Sequence, residues 1–192
     1  MDFLFYCRDK PGSTALLHRN VEAHWSFMDD YADRLLVRGP TMTADGETHT
    51  GSLHIVELAD PAETETFAYQ EPFYRAGAYS EVMVRRWHDR LGRTMRDDRG
   101  DREEAFFLIL AHAMPGSVSS GSAPPAPPHD LAPQHRERIA AYGWTQSLDG
   151  TQWTGFAAIV PMSALDVVNA LLAQAPWVAG VELHRWRIGG RR

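Results

Sequence analysis

The chain has 192 residues, 44% of them hydrophobic and 23% charged, which is typical of a soluble globular protein of one or two domains. Its 19 basic and 25 acidic side chains give a net charge of −6, which argues against a nucleic-acid-binding surface, and no apolar run approaches the ~18 residues of a membrane span. The opening MDFLFYCRDK lacks the basic segment and cleavage site of a signal peptide, and the single Cys7 excludes an internal disulfide, so we expect a cytoplasmic protein without nucleic-acid or membrane partners.

The first half of the chain predicts a strand, a helix, a hairpin, a second helix and a closing strand. The strands are predicted over residues 2–7, 36–42, 51–57 and 81–87. Asp45-Gly46 supplies the hairpin turn, because this dipeptide tolerates positive φ. Asp60-Pro61-Ala62-Glu63 begins the second helix, with a capping residue, proline at the first helical position and an acid in the first turn.

His24 lies in the apolar stripe of the first predicted helix. The inward positions are spaced by 4, 3, 4, 3 and 4 residues, the period of a helix packed on one side: Leu17, Val21, His24, Met28, Tyr31 and Leu35. A buried imidazole needs a hydrogen-bond partner, and histidine is also the residue type best suited to proton transfer near neutral pH. The spacing alone favours a structural core histidine over a functional one.

The middle of the chain predicts two irregular segments. Residues 89–104 are charged and poor in apolar side chains, which indicates a solvated linker. Residues 113–133 are rich in Pro, Ser and Gly, so they predict a loop that is either a lid or disordered. Further strands are predicted over residues 105–112, 143–147, 153–160 and 181–188, and a helix capped by Ser163 runs to about residue 174.

The second half repeats the first at an offset of 104 residues. The paired landmarks are Pro11-Gly12-Ser13 with Pro115-Gly116-Ser117, Gly39 with Gly143, Asp45-Gly46 with Asp149-Gly150, and Pro72 with Pro176. Trp87 pairs with Trp186 at an offset of 99, so the last loop is shorter.

Each half follows the β-α-β-β-α-β order of a ferredoxin-like unit. Such a unit has helices on one face of its sheet only, so two units can bury their other, apolar faces against each other. We therefore predict an α+β fold in which two tandem ferredoxin-like units, residues 1–88 and 105–192, form an intrachain pseudo-dimeric αβ-barrel.

Polar positions of the first half are lost in the second half. At the same offset, the replacements are His24 by Pro128, Ser52 by Phe156, and Glu71 by Ala175. The glycines, turn and prolines that set the backbone persist. A histidine needed only for folding should recur, so the difference favours a working site in the first half and a scaffold in the second, with relaxed drift of the second half as the alternative.

Residues 1–88 resemble the YCII family of small dimeric αβ-barrel proteins, which is related to muconolactone-isomerase-like and anthrone-oxygenase-like enzymes. The resemblance depends on these residues and motifs: His24, Gly39-Pro40, Asp45-Gly46, Thr50-Gly51-Ser52, Glu71-Pro72-Phe73, Ala76-Gly77 and the closing VMVRRW. It implies a catalytic centre at His24, with Glu71 where the family usually has aspartate and Asp45 as the other candidate acid, although the turn also explains Asp45. It further implies proton transfer or group elimination on hydroxylated rings, without a metal or an organic cofactor.

The candidate site residues are His24 as general base and acid and Glu71 as its orienting partner. The candidate substrate contacts are Ser52, Trp25, Arg38 and Asp45. We expect no metal site, because His49 and His54 are five apart and should point to opposite faces of a strand.

Three functions are consistent with this site. The first is a cofactor-independent lyase or isomerase acting on a hydroxylated aromatic or polyketide-like small molecule, in secondary metabolism or aromatic catabolism. The second is a cofactor-independent anthrone-type oxygenase, in which the same base in a dry apolar barrel deprotonates a phenol that then reacts with dioxygen. The third is a non-catalytic small-ligand-binding module. A homodimer of the whole pseudo-dimer stays open.

Overall fold

The structure is a computed structural model that describes residues 1–95, 97, 105–114, 136–173 and 175–190. These residues form the following elements, in chain order: β1 (Asp2–Asp9), α1 (Thr14–Asp29), β2 (Leu35–Met42), β3 (His49–Glu57), α2 (Glu63–Tyr69), α3 (Pro72–Arg75), β4 (Tyr79–Asp89), β5 (Phe106–Ala113), β6 (Ala141–Gln146), β7 (Trp153–Pro161), α4 (Leu165–Ala173) and β8 (Val178–Trp186). Each predicted strand overlaps an observed strand, with ends that differ by three residues or fewer.

The eight strands form one closed antiparallel barrel in the order β1-β3-β2-β8-β5-β7-β6-β4. The fold is therefore α+β. Each half contributes four neighbouring strands, and the halves join where β2 pairs with β8 and where β4 pairs with β6. The β2–β8 contact is short: Thr41 lies opposite Trp186, and Met42 lies opposite Arg185.

The barrel interior is filled by apolar side chains from both halves. Side chains alternate between the two faces of a strand, so every second residue points inward. The buried interior cluster consists of Leu4, Tyr6, Val37, Leu53, Ile55, Trp87, Phe106, Leu108, Leu110, Ala141, Ala157, Ile159 and Trp186. The interior is thus a packed core.

The outer face of the first half is covered by α1 and α2. Met28 of α1 and Phe67 of α2 pack with Phe3 and Phe5, which are the outward residues of β1. His24 is also buried on this side of α1, as its place in the apolar stripe predicts. The space between α1 and the outer face of the sheet is where the candidate site lies.

The two halves use the same strand register. Gly39 lies opposite Leu53, and Gly143 lies opposite Ala157. Both hairpins also contain a β-bulge. In the first half Thr41 and Met42 face Gly51 and His49, which leaves Thr50 as the extra residue, and Thr154 is the extra residue in the second half.

Part of the predicted linker packs against the first half. Met95 donates its backbone N–H to the Leu36 carbonyl at 2.8 Å, and its half-buried side chain packs against the cluster under α1 and α2. Of the predicted Pro-rich loop, all but Ala113 and Met114 lie outside the described residues. In the described part of the chain, no helix combines the length and apolar character needed to cross a membrane.

Candidate active site

His24 and Glu71 form a buried pair. His24 Nδ1 lies 2.6 Å from Glu71 Oε1, and the two side chains are only 11% and 4% exposed. An ionised carboxylate can only accept a hydrogen bond, so beside it Nδ1 carries a proton and Nε2 is the nitrogen that can hold a lone pair. The Phe73 ring stacks on the imidazole at 4.2 Å and 7°. The ring is therefore held in one orientation, with one nitrogen left to accept a proton.

The carboxylate of Glu71 is held by the backbone of α3. Its oxygens accept hydrogen bonds from the N–H groups of Phe73, at 3.0 Å, and of Tyr74, at 2.9 Å. This is the geometry of a helix N-cap, and Pro72 at the first helical position suits it because proline has no N–H to satisfy. The sequence EPFY thus forms a helix N-cap, and this cap holds the Glu71 carboxylate next to His24.

A cavity of about 760 Å³ lies between α1 and the outer face of the sheet. Leu17, Val21 and His24 of α1 line one side, and Ser52 and His54 of β3 line the other. The cavity lies outside the barrel, whose interior is packed, and not in the dry apolar barrel that the oxygenase alternative assumes. Its volume is in the range of small-molecule sites.

A second histidine–carboxylate pair lies at the same cavity, and sequence reasoning missed it. His49 Nδ1 is 2.6 Å from Asp9 Oδ2. The expectation that His49 and His54 point to opposite faces is wrong, because the bulge at Thr50 shifts the alternation by one residue and both rings line the cavity. A Thr-Gly pair beside a predicted turn was the signal that could have suggested a bulge.

His54 is a buried neutral ring on the cavity wall. It is 3% exposed, and its ring centroid lies 5.8 Å from that of His24. Burial lowers the pKa of His54 well below the usual histidine range, and the repulsion between protonated His54 and protonated His24 lowers this pKa further. At neutral pH it therefore offers the cavity one donor and one acceptor without a charge.

Three of the predicted substrate contacts line the cavity: Ser52, Trp25 and Arg38. The Arg38 side chain is 16% exposed, and its Nη1 lies 3.8 Å from Asp29 Oδ1. A guanidinium has five N–H donors, so a partly exposed one at a cavity wall is suited to bind an anionic oxygen as well. Trp25 is half-buried and adds an aromatic surface.

Asp45 is placed elsewhere. Its carboxylate accepts hydrogen bonds from the Thr43 hydroxyl and from the backbone N–H of Glu47, and it is exposed in the hairpin turn. The structure therefore gives Asp45 the turn role and gives Glu71 the contact with His24.

Neither the Cys7 thiol nor a cluster of metal ligands adds to this site in the described residues. Burial raises the pKa of the Cys7 thiol well above its usual range, which disfavours the nucleophilic thiolate. No group of three or more His, Cys, Asp or Glu side chains within the described residues is arranged to hold a metal ion.

The segment after β8 forms one wall of the first-half cavity. Arg187, Ile188, Gly189 and Gly190 line it. Gly189 donates its N–H to the Arg38 carbonyl at 2.9 Å, and a Cβ on Gly189 would lie 2.8 Å from the Gly39 Cα. Residues from the second half thus complete a cavity whose histidines all come from the first half.

At the corresponding sheet positions of the second half, the described residues are packed aromatic rings. Phe156, at the position of Ser52, is 3% exposed, and Trp177, at the position of Phe73, stacks on Trp144 at 5.1 Å. Phe156 also contacts Trp144 and Trp177 edge to face. Within the described residues, the second half therefore keeps the backbone register and places large aromatic rings where the first half has Ser52 and Phe73.

Comparison with known proteins identifies a family for the first half of the chain and a solved relative of appreciable identity. The model of the YCII-related domain matches residues 1–88. A 5-chloro-2-hydroxyhydroquinone dehydrochlorinase from Burkholderia phenoliruptrix, solved with 2,5-dihydroxybenzoquinone, is 32% identical over 48% of this chain and 99% of its own, with a TM-score of 0.45. No curated protein matches the chain.

Two further solved structures align along nearly the whole chain. A chlorite dismutase variant from Candidatus Nitrospira defluvii has a TM-score of 0.54 at 9% identity, over 96% of this chain and 90% of its own. A Fusobacterium nucleatum protein with a provisional monooxygenase assignment has a TM-score of 0.53 at 8% identity, over 97% and 91%. At such identities these likenesses show the fold alone.

Proposed function

Residues 1–88 of this chain belong to the family of YCII-related domains, and from that premise we propose that the chain is an enzyme that moves protons on a hydroxylated aromatic small molecule. The reaction is of lyase or isomerase type. His24 is the general base and acid, and Glu71 positions it. The observation that carries this proposal is the buried His24–Glu71 pair at a cavity of about 760 Å³.

The geometry of the pair suits general base catalysis. Glu71 accepts a hydrogen bond from His24 Nδ1–H, so Nε2 is the nitrogen that takes a proton from a bound hydroxyl group. The imidazolium that forms is stabilised by the carboxylate at 2.6 Å. Because the backbone of α3 already holds Glu71, little reorganisation is needed at the moment of transfer.

The cavity walls indicate the substrate class. Apolar side chains of α1 and the ring of Trp25 suit a flat ring, while Ser52 and Arg38 suit its hydroxyl or phenolate oxygens. The dehydrochlorinase of 32% identity acts, by its name, on a chlorinated hydroxyhydroquinone, which belongs to this class. Polyketide-like rings are hydroxylated aromatics too, so a biosynthetic role is an alternative to a role in aromatic catabolism.

We propose that the chain is a tandem pseudo-dimer with domains over residues 1–88 and 105–192 and a linker over residues 89–104. The shared register and the paired bulges support this division, and the threonine pair Thr50–Thr41 recurs as Thr154–Thr145, each joined by a 3.0 Å hydrogen bond. In this proposal the second half is a scaffold that also supplies the wall after β8. A homodimer of the whole chain remains a prediction.

The test is the turnover of 5-chloro-2-hydroxyhydroquinone, followed as chloride release, by the wild-type chain and by His24→Gln. The amide of glutamine keeps a hydrogen bond to Glu71 but cannot take a proton, so we expect kcat to fall by ~10²-fold or more. The matched control is His88→Gln. His88 hydrogen-bonds Gln146 at the β4–β6 contact, outside the cavity, and its variant should keep wild-type turnover.

Near-normal turnover by a folded His24→Gln chain would end the assignment. An oxygen electrode in the same assay separates the reaction types, because a lyase or isomerase consumes no dioxygen and an anthrone-type oxygenase does. A ligand that binds the cavity and is recovered unchanged from both chains would indicate a binding module.

A further inference from the structure

We propose that His49, held by Asp9, is a second proton-transfer residue of this site, so that the cavity contains a base and a separate acid. This inference rests on the proposed function and deepens it. It narrows the substrate class to rings that lose a proton at one position and must receive one at another.

The pair is built like the His24–Glu71 pair. His49 Nδ1 lies 2.6 Å from Asp9 Oδ2, so the carboxylate accepts a hydrogen bond from Nδ1–H and leaves Nε2 for other contacts. The Asp9 side chain is 6% exposed, whereas the His49 ring is 25% exposed and lines the cavity. Ser52 Oγ lies 3.5 Å from His49 Nε2, which places a candidate substrate contact beside the second ring.

The pair is not required to hold the barrel together. At the offset of 104, Asp9 and His49 correspond to Ala113 and Trp153 of the second half. The same strand pairing and the same bulge form there without a histidine or a carboxylate. Strand geometry therefore does not explain why the first half has both residues.

The burial of Asp9 is itself costly. Its second oxygen, Oδ1, is buried without a hydrogen-bond partner, and a buried carboxylate with one unsatisfied oxygen destabilises a fold. Asp9 differs from Glu71 in this respect, because the Glu71 carboxylate accepts two backbone N–H groups besides the His24 ring. A protonated His49 would supply the counter-charge that Asp9 lacks, so this proposal assigns His49 as the proton donor and His24 as the acceptor.

The two rings give a balanced reaction. Neutral His24 takes the proton of a ring hydroxyl at Nε2, and the electron pair of that O–H bond becomes a C=O bond. The displaced π electrons form a C–H bond at a ring carbon with the Nε2 proton of His49, which gives the keto tautomer. An isomerisation ends there. In an elimination, the now saturated carbon loses chloride with its bonding electrons as a second ring hydroxyl gives its proton to the neutral His49, and His24 then releases its proton to water.

The test measures kcat with 5-chloro-2-hydroxyhydroquinone and the Kd of 2,5-dihydroxybenzoquinone separately. For His49→Ala we expect kcat to fall by ~10²-fold, with a Kd within about threefold of wild type, because the loss is in proton transfer. Added imidazole should restore part of the kcat of His49→Ala by filling the vacated space. It should not restore His49→Gln, in which the side chain still occupies that space.

The outcomes distinguish this inference from the proposed function. An active His49→Ala beside an inactive His24→Gln would overturn the second proton donor and leave the function standing. A wild-type chain without turnover, or an active His24→Gln, would overturn the function and the inference together. If His49→Ala does not fold, kcat is measured with His49→Gln instead. If the pair is only structural, His49→Gln should have a lower unfolding midpoint than the wild type but an unchanged kcat.

Discussion

The Glu71 carboxylate serves the backbone and the site at once. It caps α3 through two N–H groups, and the same Oε1 that accepts from Phe73 also accepts from His24. The ring of His24 is therefore oriented by a carboxylate that secondary structure already fixes, which is more rigid than a contact between two long, free side chains. A turn-and-cap motif thus becomes part of a candidate catalytic pair.

The buried His54 predicts a pH-dependent stability. Burial lowers the pKa of His54 well below 6.5, so the folded chain holds a neutral ring while the unfolded chain binds a proton below about pH 6.5. Its contribution is fully present above that pH and is lost as the pH falls, by up to ~1.4 kcal/mol per pH unit. We expect His54→Gln to flatten the decrease in the free energy of unfolding between pH 7 and pH 5, measured by urea titration.

Ser52→Ala is the matched control for this prediction. It alters the neighbouring position on the same face of β3 without removing a titratable ring, so it should keep the wild-type slope. A slope that stays unchanged in His54→Gln would contradict the neutral buried ring.

For single residues, the sequence predicts those positions that depend only on residues nearby in the chain. His24 follows from a helical period, because an inward position on a helix depends only on nearby residues. Asp9 and His49 could not be paired, because their contact depends on which strands neighbour each other and on a bulge that reverses the side-chain alternation. Asp45 is a different case. The sequence offers it both as a substrate contact and as a turn residue, and in the structure its carboxylate bonds within the turn.

At the scale of elements, the short segment after β8 joins the two halves of the chain at the cavity. Arg187 donates its backbone N–H to the Pro40 carbonyl at 3.3 Å, and Gly189 donates to Arg38, which continues the β2–β8 contact beyond the end of β8. Neither glycine has room for a side chain, because a Cβ on Gly189 would meet the Gly39 backbone and a Cβ on Gly39 would meet the Arg187 carbonyl and the Trp186 ring. This segment thus pairs with the edge of β2 and also forms one wall of the cavity.

We expect a chain truncated after Trp186 to bind 2,5-dihydroxybenzoquinone roughly tenfold more weakly, a loss of ~1.4 kcal/mol. The truncation removes one wall of the cavity and leaves both histidine pairs, so binding should weaken more than kcat. Isothermal titration calorimetry gives the Kd.

A chain that ends at Gly190 keeps this wall and is the control. If the chain truncated after Trp186 binds as tightly as that control, the segment does not contribute to the site.

At the scale of the whole molecule, the eight strands and their order along the chain could be predicted from alternation, turns and the repeat. The apolar patterns are strong, and each strand is bounded by residues with a clear turn chemistry. The position of the cavity could not be predicted, because in the described residues the same sheet positions border open space in one half and hold packed aromatic rings in the other. That difference depends on how side chains pack, which no local pattern reports.

The packed aromatic rings of the second half predict that substitutions at equivalent positions of the two halves have different effects. A substitution in the second half should lower stability, and one in the first half should lower activity. Phe156 is buried among Tyr142, Trp144 and Trp177, so Phe156→Ala opens a hole in a packed core and should cost about 3–5 kcal/mol in the free energy of unfolding. It touches none of the proton-transfer residues, so kcat should stay within about twofold of wild type. Urea unfolding and chloride release measure the two quantities.

Ser52→Ala, at the same sheet position of the first half, should show the reverse pattern. It removes one hydroxyl group at a cavity wall, so it should change stability by about 1 kcal/mol or less while raising KM several-fold. If Phe156→Ala lost turnover while Ser52→Ala kept an unchanged KM, the division into a working half and a scaffold half would be wrong. The packed aromatic rings of the second half would then belong to the chemistry rather than to its support.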